Sequence, residues 1–201
     1  MIEMKDTNKK DIKKLVKEEM EMELMKKIEK DAEKKLEKLI KKELAMGKRL
    51  YTKEEVVAIE PKYVKGKGNM NIVHLKNGEV KEDKRRIQTI MKNMAMLELF
   101  DLKLGRKLIE MNVGISKNIP YVFDLENIFV AVKTRVPIGK NDGAMSFVKL
   151  SEIANSEIEE DTLLLSTGSS LKFLEKASKV QERIRYGKVS AVILDKIRFI
   201  L

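Results

Sequence analysis

Residues 5 to 46 contain no glycine, proline or aromatic residue, and this feature constrains the fold more than any other. Lysine, glutamate, leucine, methionine and isoleucine dominate the segment, and all of them favour or tolerate a helix. We therefore expect one continuous helix of about 40 residues, with Gly47 as its C-cap. Segment 1–48 would form an N-terminal arm, and 49–201 the body of the protein.

The apolar residues of this helix form two overlapping rows. One follows a heptad pattern that Glu18, Glu29 and Glu43 interrupt, so a coiled coil built on it would be imperfect. The other advances by four residues and winds slowly round a straight helix. Three roles are open: a dimerisation arm, an arm whose lysines contact phosphate, or a solvated helix on its own domain, which pairs such as Glu37 with Lys41 favour. The heptad row consists of Leu15, Met22, Met25, Ala32, Leu36, Leu39 and Met46, and the second row runs from Ile12 to Leu44.

From about Leu50 the pattern changes to short β runs separated by turns that contain glycine. Segment 55–60 predicts a strand that ends at Pro61, and 70–75 predicts a second strand. Asn77-Gly78 is a favoured hairpin turn before a further run that begins at Val80. From Asp83 the period becomes helical, with an apolar face made of Ile87, Ile90, Met91, Met94 and Leu97.

The second half of the body predicts strands and a final helix. Segment 101–111 is expected to be helix or turn around Gly105, and it closes at Gly114. Ser178 with Gln181 forms a capping-box pattern that predicts the start of the last helix. The fold class is therefore α+β, with a long N-terminal helix followed by a β-rich body that contains two further helices. The predicted strands are 121–124, 128–132, 145–150, 162–165 and 171–174.

Charge and composition narrow the class of partner. Lysine and arginine outnumber aspartate and glutamate by 42 to 32, which favours an anionic partner such as nucleic acid or acidic lipid. The chain has no cysteine, so disulfides, thiol nucleophiles and Cys-ligated metals are excluded. No apolar run is long enough for a membrane span or a signal peptide. We expect a cytoplasmic protein that does not contact membrane.

Residue patterns typical of enzymes are scarce. Neither a Walker A motif nor a GxGxxG motif is present, because Gly66-Lys67-Gly68 has no third glycine and precedes no helix. His74 is the only histidine, and it alternates within a predicted strand, so a structural role is expected. The acidic pairs show no spacing that indicates acid and base catalysis. We expect no enzymatic activity, no catalytic residue, no metal and no cofactor.

An ordered series of features runs from residue 84 to residue 194. The turn Gly105-Arg106-Lys107 precedes the segment Lys117-Asn118-Ile119-Pro120-Tyr121-Val122-Phe123-Asp124. Asn127-Ile128-Phe129 then leads through Lys133-Thr134 and a loop at Pro137 to Met145-Ser146-Phe147-Val148-Lys149-Leu150, before a hairpin at Gly168 and a helix near Ser178. In order and spacing this series resembles the competence transcription factor family ComK. The likeness extends from Tyr51 to the C-terminal helix, and the helix at 5–46 has no counterpart.

The resemblance implies a transcription activator that binds double-stranded, AT-rich promoter DNA, chiefly through the minor groove, as a dimer or a pair of dimers. The narrow minor groove of an A-tract is strongly negative, so an inserted arginine or lysine is well stabilised there. Ordinary surface charge is the alternative explanation for each basic residue. The residues expected nearest to DNA are Arg85, Arg86, Lys103, Arg106, Lys107, Lys133 and Arg135.

Two other classes of function compete with DNA binding. The first is a protein-interaction adaptor whose long helix recruits a partner and whose basic surface serves solubility alone. The second is a role at a membrane surface, against which the mixed charges of the long helix argue.

Overall fold

The computed structural model describes residues 3–45, 49–140, 142–153, 158 and 161–200. Side chains are described for residues 19–31, 33–38, 40–42, 49–140, 142–153, 158 and 161–198. The chain divides into two compact units, Met1–Arg49 and Leu50–Leu201. Met46 and the expected C-cap Gly47 lie outside the described residues, as do the side chains of Leu15, Ala32 and Leu39.

The first unit consists of helix α1, Glu3–Ala45, which confirms the predicted continuous helix. Lys41 and Glu37 form the expected pair one turn apart at 3.5 Å, and both side chains are exposed. Leu36 and Ile40 are half-buried. The exposed apolar side chains of α1 are Met20, Met22, Leu24, Met25 and Ile28.

The second unit is built on an antiparallel sheet. In the described residues six strands pair in the order β3-β2-β1-β6-β5-β4. The predicted turn at Asn77-Gly78 joins β2 to β3, and Gly78 has the positive φ, 82°, that such a turn requires. The strands are β1 (Val56–Val64), β2 (Gly68–Leu75), β3 (Val80–Asp83), β4 (Tyr121–Val122), β5 (Ile128–Lys133) and β6 (Met145–Lys149).

Strand β1 continues through Pro61, so the prediction that proline ends this strand is wrong. Pro61 pairs with Asn71 of β2 within a register that extends to Val64. On its other side β1 pairs with β6 only at Ala58 and Ile59. Pro61 therefore lies where β1 has one neighbour, and a sheet tolerates proline at such an edge position.

Helices cover both faces of the sheet. Helix α2, Ile87–Leu97, buries its predicted apolar face against Ile59 and Val73 on one side. Helix α4, Ala177–Ile200, lies on the opposite face, where Val180 packs with Val57 and Val148. A separate hairpin of β7 (Thr162–Leu164) and β8 (Ser170–Lys172) packs with this second core. These layers confirm the α+β class.

Two helix boundaries differ from the sequence-based expectation. Segment 101–111, expected to be helix or turn, largely coincides with helix α3, Leu102–Val113, so the described part of the body has three α-helices and not two. The Asp101 side chain caps α3 by accepting hydrogen bonds from the N–H groups of Lys103 at 2.9 Å and Leu104 at 3.0 Å. Helix α4 begins at Ala177, so Ser178 lies inside the helix and the capping-box prediction is wrong.

Candidate anion-binding surface

The connection from β3 to α2 is a basic tripeptide, Lys84-Arg85-Arg86, that a network of hydrogen bonds holds in place. The Arg85 guanidinium pairs with both carboxylate oxygens of Asp83, with Nε to Oδ1 at 3.0 Å and Nη2 to Oδ2 at 2.5 Å. The amide of Asn71 donates to the Arg85 carbonyl from the neighbouring strand. Because the Arg85 side chain is only 12% exposed, its main effect is to fix the connection and the start of α2.

Helix α2 begins without the usual acidic or hydroxyl cap. Arg86 is the N-cap residue, its side chain makes no capping hydrogen bond, and the first turn holds no acidic residue. The N–H groups of Ile87 and Gln88 therefore have no acceptor within the helix. Such an N-terminus carries a partial positive charge and favours an anion.

This N-terminus opens into a cavity of about 530 Å³ over the sheet. Ile59 and Val73 lie on the sheet face that packs against α2. Pro61 and Asn71 are two residues away from them along their strands, so strand alternation places them on the same face. There they line the cavity next to the start of α2. Among the described residues, four basic side chains and one acidic side chain, Asp142, line the cavity. The basic residues are Lys84, Arg86, Arg106 and Arg135.

Arg135 is the most deeply buried of the four, at 9% exposure. Its Nε donates to the carbonyl of Gly143, its Nη2 donates to Oδ1 of Asn69 at 2.8 Å, and its guanidinium carbon lies 4.3 Å from the ring centroid of Tyr63. The third nitrogen, Nη1, is buried and has no hydrogen-bond partner among the described residues. A buried guanidinium N–H without an acceptor is costly, so this atom is a candidate contact for an anionic ligand.

Asp142 organises the loop that carries Arg135. Its carboxylate accepts hydrogen bonds from the Tyr63 hydroxyl at 2.5 Å, from the backbone N–H of Gly139 at 2.9 Å and from the Asn69 amide at 3.0 Å. The Tyr63 hydroxyl bond, followed by the Gly139 bond, lowers the pKa of Asp142 below its ordinary value, and the charge of Arg135 adds to the effect. Asp142 is therefore ionised at neutral pH, and the lining carries three net positive charges.

Arg106 connects this cavity to a second concavity. Its guanidinium carbon lies 4.6 Å from the ring centroid of Tyr121, which is a cation–π contact. Burial raises the pKa of the Tyr121 hydroxyl, and the opposing effect of the Arg106 charge does not cancel this rise. Tyr121 thus stays protonated at neutral pH, and Arg106 lies at the boundary between the two concavities.

The second concavity is an apolar groove of about 930 Å³ between α2 and α3. Ala95, Met96, Phe100, Leu102 and Ile119 contribute its apolar lining. Basic residues stand along its rim together with two acidic ones, Asp101 and Glu110, of which Asp101 is the cap of α3. The basic rim consists of Lys92, Lys103, Arg106 and Lys107.

The structure thus brings five of the seven predicted basic residues to two adjoining concavities. Arg86, Arg106 and Arg135 line the cavity, and Lys103, Arg106 and Lys107 border the groove. Arg85 pairs with Asp83 instead. Lys133 lies at the end of β5, where its backbone N–H donates to Glu175 at 2.7 Å, and it lines neither concavity.

Sequence reasoning missed several members of the site. Lys84 belongs to the run Lys84-Arg85-Arg86, and the run itself was a visible signal. Lys92 lies on the polar side of the predicted α2 helix, where its basic character was also visible. By contrast, no local pattern marks Asn69 or Tyr63, because their role depends on Arg135 and Asp142, far away in the chain.

The sheet also holds one pair of a histidine and a carboxylate among the described residues. His74 lies 3.6 Å from the carboxylate of Glu60 inside the sheet, and both side chains are largely buried. No group of three or more histidine, cysteine, aspartate or glutamate residues in the described segments could hold a metal ion. Within the described helices, none combines the length and apolar character that a membrane span requires.

The chain was compared with models of known protein families, with curated proteins and with solved structures, and none of the three comparisons found a match.

Proposed function

We propose that this protein is a DNA-binding transcriptional regulator that contacts double-stranded DNA with the basic surface around the start of α2 and along α3. The observation that carries the proposal is the convergence of Lys84, Arg86, Lys103, Arg106 and Lys107 on two adjoining concavities. Backbone phosphates supply most of the affinity of DNA-binding proteins, and lysine and arginine are the residues that neutralise them.

Exposure of these side chains supports the proposal. Lys84, Arg86, Lys103 and Lys107 are exposed, and Arg106 is half-buried against Tyr121. Long basic side chains that remain in solvent can adjust to a phosphate backbone, whereas buried ones are committed to the fold. The site therefore combines two arginines that are held by contacts within the fold, Arg85 and Arg135, with basic side chains that are exposed to solvent.

The resemblance to the ComK family adds detail to the proposal. It implies an activator that prefers AT-rich promoter DNA and reads the minor groove, and it implies assembly into dimers. A basic side chain inserted into a narrow minor groove responds to the potential of the groove more than to base identity. In this chain we propose α1 as the dimerisation element, since Met22 and Met25 of the heptad row are more than half exposed.

Duplex binding at varied salt tests the proposal. We expect the full chain to bind a 20–30 base-pair AT-rich duplex more tightly than a GC-rich duplex at about 50 mM salt, with affinity falling steeply toward 200 mM. The double variant Arg86→Gln/Lys107→Gln should bind weakly and with a flatter salt dependence, while Lys26→Gln on α1 should match the original protein. Absence of duplex binding at 50 mM salt would contradict the proposal.

A protein-interaction adaptor is the second candidate, and one observation favours it. The groove between α2 and α3 is lined largely by apolar side chains, including Met96 and Phe100, and such grooves are able to accept an apolar helix face. If the full chain binds no duplex and the Met96→Lys variant abolishes co-purification of a defined partner protein, the adaptor function replaces the regulator.

A further inference from the structure

We propose that the cavity at the start of α2 is a binding site for a single phosphate group, held by the helix N-terminus, Arg86 and Arg135. This goes beyond the proposed function, because the site would bind phosphate whether or not the protein binds DNA. Two kinds of ligand carry such a phosphate group: nucleic acid, as a backbone phosphodiester, and a small phosphorylated compound.

The first line of support is the helix N-terminus itself. Helix α2 has 11 residues, its N-cap Arg86 makes no side-chain capping bond, and no acid occupies its first turn. The N–H groups of Ile87 and Gln88 are therefore available, and both residues line the cavity. Phosphate is one of the anions that bind at such a helix start, because its oxygens accept hydrogen bonds from the backbone N–H groups.

The second and independent support is Arg135, which lines the same cavity. It is 91% buried, since its exposure is 9%, and its Nη1 has no acceptor among the described residues. The other two nitrogens are occupied by Gly143 and Asn69, and the ring of Tyr63 covers one face of the guanidinium. Nη1 is therefore the one guanidinium nitrogen of Arg135 without an acceptor among the described residues. Because the other contacts already order this side chain, it loses little conformational entropy when it donates to a ligand.

Charge balance in the cavity favours an anionic ligand. Lys84, Arg86, Arg106 and Arg135 face one carboxylate, that of Asp142. This carboxylate already accepts hydrogen bonds from Tyr63, Gly139 and Asn69, so it has little capacity to pair with the remaining cations. A bound phosphate would relieve the repulsion among the basic groups and satisfy Nη1 at the same time.

The test is a titration of the full-length protein followed by two-dimensional NMR. Methyl phosphate and dimethyl phosphate serve as probes of a monoester and a diester, and sodium chloride at matched ionic strength serves as the control salt. We expect saturable shifts of the Ile87 and Gln88 amide signals and of the Arg135 Nε–H signal. Arg86→Gln and Arg135→Lys should weaken binding of the preferred probe about tenfold or more.

Two features keep the test decisive. Arg185→Gln removes an exposed positive charge of α4 that lines neither concavity, so it should bind the probe like the original protein. Arg86 is exposed, so Arg86→Gln reports on binding even if a change at buried Arg135 disturbs folding. Shifts that are linear in concentration, or that chloride reproduces, would overturn the proposal, as would full binding by Arg86→Gln.

The two phosphate sources give different results, and failure of DNA binding gives a third. Preference for dimethyl phosphate, with displacement of duplex DNA beyond the chloride control, assigns the cavity to a backbone phosphate. Preference for methyl phosphate, with duplex affinity unchanged when the probe is bound, assigns it to a small phosphorylated compound. Saturable phosphate binding by a chain that binds no duplex supports this inference and contradicts the proposed function.

Discussion

Arg106 and Tyr121 form a cation–π contact in which the guanidinium carbon lies 4.6 Å from the ring centroid. Arg106 comes from α3 and Tyr121 from the edge strand β4, so the contact joins the two structural elements that flank the basic surface. The ring fixes the arginine at the boundary of the cavity and the groove. An arginine that is already ordered loses less conformational entropy when it contacts a ligand.

The first prediction concerns the role of Arg106 in DNA binding. Arg106→Gln should weaken duplex binding at low salt and flatten the plot of log K against log salt by about one unit, because one phosphate contact is lost. Fluorescence anisotropy with an AT-rich duplex at several salt concentrations measures both effects. Arg185→Gln, an exposed change on α4 outside both concavities, is the matched control. Equal slopes for Arg106→Gln and the original protein would remove Arg106 from the proposed contact surface.

The second prediction concerns self-association through α1. Met25→Lys should lower the mass of the full chain in solution, because a charge at a heptad position of a coiled coil is desolvated in the dimer. Sedimentation equilibrium over a range of protein concentrations measures the dissociation constant. The control Lys34→Gln changes an exposed residue outside the heptad row and should leave the mass unchanged. A monomeric original protein at high concentration would show that α1 is not a dimerisation arm.

The third prediction concerns the close approach of α4 to the sheet at Gly187. A Cβ atom added there would lie 2.8 Å from Val130 Cγ1 and 3.1 Å from Leu150 Cδ1. Overpacking costs about 1–3 kcal/mol, while replacing a helical glycine by alanine gains about 0.5–1 kcal/mol. We therefore expect Gly187→Ala to lower the free energy of unfolding by about 1 kcal/mol in urea titrations.

The adjacent exposed residue provides the control for this change. Lys188→Ala should alter the free energy of unfolding by less than about 0.5 kcal/mol, because surface substitutions of this kind seldom do more. If Gly187→Ala proves more stable than the original protein, then α4 can move away from β5 at low cost, and the close approach is not a constraint.

The fourth prediction concerns the stability at acidic pH that Asp124 confers. Burial by itself raises the pKa of Asp124, but hydrogen bonds from the Asn127 side chain, Lys53 and backbone N–H groups outweigh it and lower the pKa to about 2. Lys53 also lies 2.5 Å from Glu98, and it bridges the two carboxylates. The folded state thus favours the ionised Asp124 more than the unfolded chain does.

Because folding lowers the pKa of Asp124, the stabilisation that its carboxylate provides is fully present above the unfolded pKa of about 3.9. This stabilisation is lost as pH falls toward 2. The side chain is 36% exposed, so solvent screening reduces the contribution to about 1 kcal/mol. The free energy of unfolding is expected to fall between pH 5 and pH 2, and Asp124→Asn should remove the part of this fall that Asp124 causes. Urea titrations at each pH measure the free energy of unfolding. An unchanged pH profile in Asp124→Asn would show that other carboxylates cause the decline.

The fifth prediction concerns the buried ion pair between Glu175 and Arg183. Arg183 donates to both carboxylate oxygens at 2.6 Å and 2.7 Å and to the carbonyl of Ala131 at 3.0 Å, while Glu175 also accepts from the Lys133 N–H. Arg183→Met leaves the carboxylate buried without its main partner and should cost about 3 kcal/mol of unfolding free energy. The double variant Glu175→Gln/Arg183→Met should recover part of this loss. Additive effects of the two changes would show that the pair is not coupled.

Sequence patterns identified the elements whose formation depends on nearby residues. Helix α1 follows from a run of helix-forming residues, and the turn at Gly78 follows from an Asn-Gly pair that accommodates positive φ. The apolar face of α2 was visible from its period. The error at Pro61 has a tertiary cause. Proline was expected to end the strand, and only the sheet order reveals that β1 lacks a second neighbour at that point.

For the candidate site, the chemistry of the residues follows from the sequence, whereas their arrangement depends on the tertiary structure. A strong positive charge and the tripeptide Lys84-Arg85-Arg86 are properties of the sequence. Which arginine packs into the fold and which lines the cavity with an unpaired nitrogen depends on the partners that each one finds in the folded chain. Arg85 is paired by the Asp83 carboxylate, whereas Arg135 is oriented by Asn69, 66 residues away, and keeps one nitrogen unpaired among the described residues. Such contacts depend on strand pairing and loop closure across the sheet, and no local periodicity encodes them.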